Sequence, residues 1–432
     1  PYIFKTADYG QSWTRIVNGI PDNAYVHAVR EDPVRPGMLY AATQHGVYLS
    51  YDDGAHWQAL NPNLPDVPVV DLIVERNQLV IATHGRSFWI LDNLAPLRQM
   101  TPDLARTDAL LFSPPAGIRS GGPLILSWWL EEKPESARLE ILDASGEVVR
   151  TFEPDTTTAD STATAADSTA TPADSTAMPV DSTAAAADST DADDPADRYR
   201  SGPALPLQAG ISHVGWDLRT DGFATFPGMI LWGVRTTGPA LPPGSYTARL
   251  TADDHTVTAP ITIERNPLIT GVTDTDLQAQ YEFSRAVWAK VNEANRAVIA
   301  IRNVKAQLAD RYEKSDDARL RSAGETLEAS ASEVEGNIYQ VKNRSGQDPL
   351  NFPIKVNNRL ANLLSMAERG DGPPGNNLPE IFRILSDELR GYTDRLQEVW
   401  ATDLVAVNRE LARLGLSAIN PACEQGGRCP IL

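Results

Sequence analysis

The chain has 432 residues, of which 42% are hydrophobic, and its formal net charge at pH 7 is −19. A chain of this length can bury two or three ordinary cores, which favours several domains. More than half of the net negative charge comes from residues 153–197, which hold ten Asp, one Glu and no Lys or Arg. The rest of the chain is only mildly acidic, so the sequence shows no basic region that would favour binding of a nucleic acid.

The first residues of the chain, Pro1 to Lys5, have the composition of a strand that leads into a tight turn. We therefore expect them to lie inside a structural unit, with further chain and a secretory signal peptide upstream. No apolar run approaches the roughly 18 residues that a membrane-spanning helix needs, so no membrane span is predicted.

Two segments, residues 6–13 and 50–57, follow one template, S/T-x-D-x-G-x-x-W. In such a turn the Asp carboxylate accepts hydrogen bonds from the turn's own amides, Gly adopts a positive φ, and Trp covers the neighbouring strand. The template residues are Asp8, Gly10 and Trp13 in the first segment and Asp52, Gly54 and Trp57 in the second. A catalytic role for either Asp is the alternative, but the turn itself already uses the carboxylate.

Residues 1–100 are predicted to form the last blades of a β-propeller. The two Asp positions of the template are 44 residues apart, which matches a propeller blade of four short strands in roughly 40–45 residues. Alternating apolar runs between and after the two turns suit successive strands. The strand order begins again after Trp57 without a third such turn, which indicates a final blade and a total of about two and a half.

Residues 108–266 are predicted to form a β-sandwich of the immunoglobulin-like kind, since strand-like runs alternate with turn signals at hairpin spacing. An acidic insertion, residues 153–202, interrupts it. Asp-Ser-Thr recurs every seven residues in this insertion, but the repeat carries no large apolar residue that could form a coiled-coil seam. Its composition predicts disorder.

Residues 272–416 are predicted to form an antiparallel bundle of about four helices. Apolar residues recur there at alternating steps of four and three, as in helices that pack on one another. Thr273 or Asp274 suits an N-cap, a shorter helix is expected near residues 356–366, and prolines between 349 and 374 mark connections.

The tail, residues 417–432, contains Cys423 and Cys429, which are the only cysteines of the chain. Two cysteines so close in sequence suit a disulfide loop in an oxidising compartment. Two free thiols are the alternative. A metal site is disfavoured because no His lies nearby to complete a set of four ligands.

Several of these segments resemble one known family. The two template turns and the segments that follow them are similar to the C-terminal part of large secreted BNR-repeat (Asp-box) propeller proteins related to sortilin. Proteins of that kind are often labelled glycosyl hydrolases because of their similarity to sialidase and xyloglucanase propellers. The segments that carry the resemblance are residues 82–92, 97–99, 214–219, 226–229, 238–246 and 264–268. The sialidase set of arginines, tyrosine and acids cannot be assigned in this chain.

Candidate ligand-binding residues lie in the turns between the second and third strands of each blade, which point to the face opposite the template turns. These residues are His45, His84 and Arg86. A His can act as an acid or base or bind a ligand, and Arg can hold a carboxylate in a bidentate fork. The structural alternative is that Arg86 pairs with an acid of a neighbouring blade and His84 caps a strand end.

Two functions remain open at this level. The first is an extracytoplasmic, secreted or periplasmic recognition or scaffold protein that binds a glycan or a peptide, with no complete catalytic site in this chain. The second is a glycoside hydrolase whose catalytic carboxylates lie on upstream blades. No cofactor or metal motif was found, and the sequence does not define an oligomeric state. The tryptophans at 128, 129 and 216 suit a sugar-stacking platform or, more commonly, a sandwich core.

Overall fold

The computed structural model describes residues 1–101, 107–154 and 203–422. Nearly all of the predicted acidic insertion, and the predicted disulfide between Cys423 and Cys429, therefore lie outside the described residues. The described chain forms two compact units, which confirms a multidomain layout of β structure followed by helices. The β unit comprises residues 1–154, 203–218 and 244–264, and the helical unit comprises residues 219–243 and 265–422. Among these residues, no helix is both long and apolar enough to cross a membrane.

The first hundred residues form three antiparallel sheets of short strands, with two, four and three strands. In chain order these strands are β1 Phe4–Lys5, β2 Thr14–Arg15, β3 Val26–Glu31, β4 Leu39–Thr43, β5 Gly46–Ser50, β6 Gln58–Ala59, β7 Val69–Glu75, β8 Gln78–Thr83 and β9 Phe88–Leu91. The second sheet follows the chain order β3-β4-β5-β6, and the third repeats this order as β7-β8-β9.

The second template segment forms a closed turn between β5 and β6. Asp52 accepts a 2.8 Å hydrogen bond from the amide of His56, and its carboxylate lies 2.7 Å from the ring Nδ1 of the same residue. The hydroxyl of Ser50 donates to this carboxylate at 2.9 Å and accepts the amide of Gly54 at 3.0 Å. Gly54 has a φ of +88°, which residues with a Cβ rarely adopt. Partial burial opposes ionisation, but the bonds from His56 hold the pKa of Asp52 below its usual range.

The first template segment repeats this geometry between β1 and β2. Asp8 accepts hydrogen bonds from the amide and the hydroxyl of Ser12, at 2.8 and 2.7 Å. The hydroxyl of Thr6 accepts the amide of Gly10 at 2.8 Å. The bonds from Ser12, with the amide first, lower the pKa of Asp8 to about 2. Both template carboxylates are thus engaged by donors of their own turns.

A buried ion pair ties the second sheet to the short helix α1, Ala95–Gln99. Arg98 Nε lies 3.0 Å from Asp32 Oδ2, and the two side chains are 11% and 0% exposed. Asp32 also accepts the amides of Val34 and Arg35 at 2.8 and 2.9 Å. Burial opposes ionisation of Asp32, but these amides and Arg98 lower the pKa of its carboxyl. The Asp32 carboxylate therefore remains charged inside the unit.

Residues 107–154, 203–218 and 244–264 of the β unit contribute two further sheets. Their strands are β10 Ala109–Leu111, β11 Gly117–Ile118, β12 Leu124–Leu130, β13 Ala137–Leu142, β14 Val148–Phe152, β15 Gly210–Trp216, β16 Gly244–Ala252 and β17 His255–Glu264. One sheet has the order β10-β12-β15 and the other has the order β11-β17-β16-β13-β14. Trp128 and Trp216 are buried in this part of the unit. The indole of Trp129 donates to the carbonyl of Thr107 at 3.1 Å, so these side chains have structural contacts.

Five α-helices make up most of the helical unit. They are α2 Asp274–Lys314, α3 Ala318–Ile338, α4 Val356–Ala367, α5 Leu378–Val399 and α6 Val405–Arg413, with a π-helical segment, Trp400–Leu404, that joins α5 to α6. Thr273 caps α2, because its hydroxyl accepts the amide of Asp276 while the Asp276 carboxylate accepts the Thr273 amide. Because α5, the π-helical segment and α6 are continuous, the five helices form about four long helical segments. This number agrees with the prediction from apolar residues that recur at alternating steps of four and three.

Residues 219–243, here called the strap, connect β15 to β16 but pack with the helices. Phe223, Phe226 and Met229 are buried in the helical core. Asn358, itself buried, accepts the amide of Trp232 at 2.7 Å and donates to its carbonyl at 3.1 Å. This arrangement satisfies both backbone groups of one strap residue, as a neighbouring strand would.

Two more asparagines hold Ala224 of the strap in a similar way. Asn292 accepts the Ala224 amide at 2.8 Å, and Asn295 donates to its carbonyl at 2.7 Å. The strap lies within residues 108–266, which are predicted to form one domain, but it packs in the helical unit. Its aromatic and Met side chains complete the core of the helical unit, and the helices supply its backbone partners.

Candidate functional site

The candidate site lies at the hairpin turns between β4 and β5 and between β8 and β9, here called the rim turns, residues 43–46 and 83–87. Backbone hydrogen bonds connect the two turns. Gly46 of the first turn donates to the carbonyl of Val67 at 3.1 Å, and His84 of the second donates to the carbonyl of Pro68 at 2.8 Å. Because Val67 and Pro68 are consecutive, the two rim turns lie side by side along one edge of the β unit.

His45 projects from the first rim turn and forms a pair with an acid that the sequence reasoning missed. Its Nδ1 lies 2.8 Å from Oδ1 of Asp66, and its Nε2 lies 3.5 Å from the amide nitrogen of Asn23. The hydroxyl of Thr43 accepts the His45 amide at 3.1 Å and fixes the turn. The carboxylate contact orients the imidazole ring.

His84 and Arg86 are exposed on the second rim turn. The hydroxyl of Thr83 donates to the carbonyl of Ser87 at 2.6 Å and accepts the Arg86 amide at 3.2 Å. The indole of Trp89 donates to the Arg86 carbonyl at 3.0 Å. Within the described residues, no carboxylate lies within 4 Å of the Arg86 guanidinium. The alternative in which Arg86 pairs with an acid of a neighbouring blade is therefore not observed among these residues. The backbone of the turn is thus fixed while its two polar side chains face solvent.

Aromatic and amide side chains extend the rim beside His45. Tyr25 is 54% exposed, and its ring meets that of His27 edge to face at 5.1 Å between centroids. His27 Nε2 lies 3.4 Å from Oε1 of Gln44, and the backbone N–H of Gln44 donates to the Tyr25 carbonyl at 3.0 Å. The only sequence signal for these residues was the alternating pattern that predicts β3, which gave no reason to place Tyr25 or His27 beside a turn that begins 16 residues after His27.

The rim carries hydrogen-bond donors, acceptors and an exposed ring, a combination that suits recognition of a polar ligand. Glycoside hydrolysis needs two carboxylates flanking the bond that is cleaved. Of the rim residues named above, only Asp66 has a carboxylate, and it is paired with His45. No group of three or more His, Cys, Asp or Glu residues is placed to hold a metal ion within residues 1–101, 107–154 and 203–422.

No protein-family model matches the chain, and no curated protein matches it. Among solved structures, it is similar to the extracellular domain of a protein named as a one component system from B. thetaiotaomicron, with 9% identity, 61% of this chain and 28% of that chain covered, and a TM-score of 0.18.

Two further solved structures show a similar degree of likeness. One is the extracellular domain of a protein named as a hybrid two component system from B. thetaiotaomicron, with 8% identity, 60% and 28% of the two chains covered and a TM-score of 0.17. The other is the BSP domain of a biofilm associated protein, with 7% identity, 53% and 27% covered and a TM-score of 0.16. The chain thus spans about a quarter of the length of these structures, and TM-scores of this size define no shared fold.

Proposed function

We propose that this chain is part of an extracytoplasmic recognition protein that binds a glycan or a peptide at the rim turns. In this proposal, residues 1–100 are blades of an Asp-box β-propeller, and the remaining strands of the β unit form an immunoglobulin-like sandwich. The helical unit, with its strap, is a scaffold. The family resemblance of the sequence supports the secreted setting, and the contacts below support the blades and the site.

The repeated order of strands supports the blade assignment. In the second sheet, β6 covers the outer edge of β5, where the Val47 carbonyl accepts the amide of Leu60 at 2.8 Å and the Val47 amide donates to Asn61 Oδ1 at 2.9 Å. In the third sheet, β9 is the outermost described strand, and Phe88 and Ile90 are 74% and 53% exposed. A groove of about 840 Å³ lies beside it. We interpret β9 as the third strand of a blade whose fourth strand comes from another segment.

The single observation that carries the binding proposal is the backbone link between the two rim turns through Val67 and Pro68. This link supports the proposal because the turns that carry His45, His84 and Arg86 lie side by side. Two titratable rings and a fork donor on fixed turns can together hold a carboxylate, an amide or sugar hydroxyls. Because the turns are already ordered, a ligand loses little affinity to ordering them.

Calorimetry of the chain against a panel of glycans and peptides tests this proposal. His84→Ala and Arg86→Ala should each weaken binding by about ten- to a hundredfold, which corresponds to the roughly 1.5–3 kcal/mol of a charge-assisted hydrogen bond. The matched controls are His255→Ala and Arg285→Ala, which remove exposed residues of the same types from other places.

Equal binding by the parent and both rim variants, at unchanged melting temperature, would contradict the proposal. Weaker binding by the control variants as well would show a general charge effect and not a site. Turnover of a glycan, measured as released reducing sugar, would favour the glycoside hydrolase alternative.

A further inference from the structure

The β unit contains a second concave site, a cleft of about 420 Å³. One wall is the turn between β7 and β8 together with the residues that follow β9, and the other wall is β11 and the start of β12. This turn lies at the opposite end of β8 from Thr83 and the rim turns. The cleft is therefore separate from the candidate site described above.

The two walls of the cleft differ in chemistry. Glu75, Arg76, Gln78 and Asp92 line one wall with exposed polar side chains, whereas Ile118, Pro123 and Ile125 line the other. A sugar ring has the same division, with hydroxyl groups around its edge and apolar C–H groups on its faces. The volume lies within the range of about 300–1,000 Å³ that ligand sites occupy.

The polar wall is fixed by a hydrogen-bond network that reaches the buried Asp32–Arg98 ion pair. Arg98 Nη2 donates to the Arg76 carbonyl at 2.8 Å, and Nη1 donates to Asn77 Oδ1 at 3.2 Å. Asn77 donates to Asn93 at 2.8 Å.

Asn93 then connects this network to the other wall, because its amide donates to Oγ of Ser127 on β12 at 3.0 Å. The two walls are thus held in a fixed relation before any ligand arrives. Such preorganisation reduces the entropy that a ligand loses on binding.

Asp92 and Gln78 form a paired acceptor and donor at the polar wall. The amide nitrogen of Gln78 donates to Asp92 Oδ1 at 3.2 Å, which leaves Asp92 Oδ2 and Gln78 Oε1 as acceptors and the second amide N–H as a donor. A sugar hydroxyl donates one hydrogen bond and accepts others, so one hydroxyl can use both partners.

The charges of the cleft disfavour an anionic ligand. Glu75 and Asp92 are acidic, and Glu75 Oε1 lies 3.7 Å from Nε of Arg76, the one basic side chain among the described residues that line the cleft. A phosphate or carboxylate ligand would therefore meet a net negative wall. We infer that this cleft binds one or two units of a neutral glycan, with the polar side chains on its hydroxyl groups and the apolar wall against a ring face.

The test uses the 432-residue chain, with glucose, galactose, N-acetylglucosamine and cellobiose as probes and galacturonic acid as the charged comparison. Binding is followed by saturation-transfer NMR and calorimetry. Asp92→Ala and Gln78→Ala should each weaken binding of a neutral sugar by about tenfold or more. Asp254→Ala and Gln208→Ala, at exposed positions outside the cleft, should bind as the parent does.

Three results would overturn the inference: no neutral sugar binds, the Asp92 and Gln78 variants bind as the parent does, or galacturonic acid binds more tightly than galactose. The variants His84→Ala and Arg86→Ala separate this cleft from the rim turns. Sugar binding that these two variants abolish, and that Asp92→Ala leaves intact, would assign the sugar to the rim and contradict the cleft.

Discussion

The indole N–H of Trp57 donates a 3.0 Å hydrogen bond to the carbonyl of Ile16, and the Trp57 side chain is buried against the preceding two-stranded sheet. Trp13 occupies the same position in the first template segment but is 60% exposed. Trp57 therefore joins the second sheet to the two-stranded sheet before it.

Trp57→Ala should lower the free energy of unfolding of the β unit by about 3–5 kcal/mol, because it leaves a cavity between two sheets and removes the bond to Ile16. Trp13→Ala is the matched control and should cost less than about 1 kcal/mol, since its side chain is mainly exposed. Urea unfolding followed by circular dichroism measures both losses. Similar losses for the two variants would contradict the interface role of Trp57.

The turn at Asp8 should weaken in acid over a defined pH range. Its folded pKa is about 2, below the ordinary value of 3.8. A carboxyl with a lowered folded pKa contributes stability above its unfolded pKa and loses it as the pH falls through the folded value. The contribution of Asp8 should thus be complete above pH 3.8 and decline toward about pH 2.

The chemical shift of the Ser12 amide, which donates to Asp8, reports this titration directly. We expect a midpoint near pH 2, and Asp8→Asn should abolish the titration. A midpoint near the ordinary Asp value would show that the turn does not hold the charged carboxylate.

The outer edge of β9 should exchange its amide hydrogens faster than the matching edge of β5. The Thr83 amide donates to the Ser87 carbonyl at 3.1 Å, so antiparallel alternation points the backbone groups of Phe88 and Ile90 away from β8. The equivalent groups of Val47 and Leu49 face β6. Hydrogen exchange followed by NMR compares the two pairs, and equal protection would contradict the interpretation of β9 as an open blade edge.

Asn358→Leu should destabilise the helical unit by about 1–3 kcal/mol, because it leaves the amide and carbonyl of Trp232 without their side-chain partners. Asn376→Leu, at an exposed loop position, is the control and should change stability little. Thermal unfolding followed at 222 nm, where helices dominate the signal, measures the difference. Equal melting temperatures for the two variants would mean that the asparagine contacts do not hold the strap.

Local signals made much of the fold predictable from the sequence. The template turns at Asp8 and Asp52 and the apolar stripes of the helices are short-range patterns, because each depends on residues less than about eight positions apart. The strap was missed since its partners, Asn292 and Asn358, lie far along the chain. The residue types of Phe226 and Met229 suit the core of a β-sandwich as well as the core of a helical unit, so they did not identify the strap.

The candidate sites show the same limit. The predicted turns identified His45, His84 and Arg86 as candidate binding residues. The contact of His45 with Asp66 could not be predicted, because it depends on how the second and third sheets pack. The cleft at Asp92 forms where two separate parts of the β unit come together, and no local sequence pattern predicts that contact.

Hydrogen exchange of the chain with and without a bound member of the glycan and peptide panel tests the central claim most directly. We expect the largest gain in protection in the peptic fragments that cover residues 43–46 and 83–87, and less protection when Arg86→Ala is present. Protection confined to the helical unit, or an unchanged exchange pattern at the rim turns under saturating ligand, would contradict the claim that function lies at this rim.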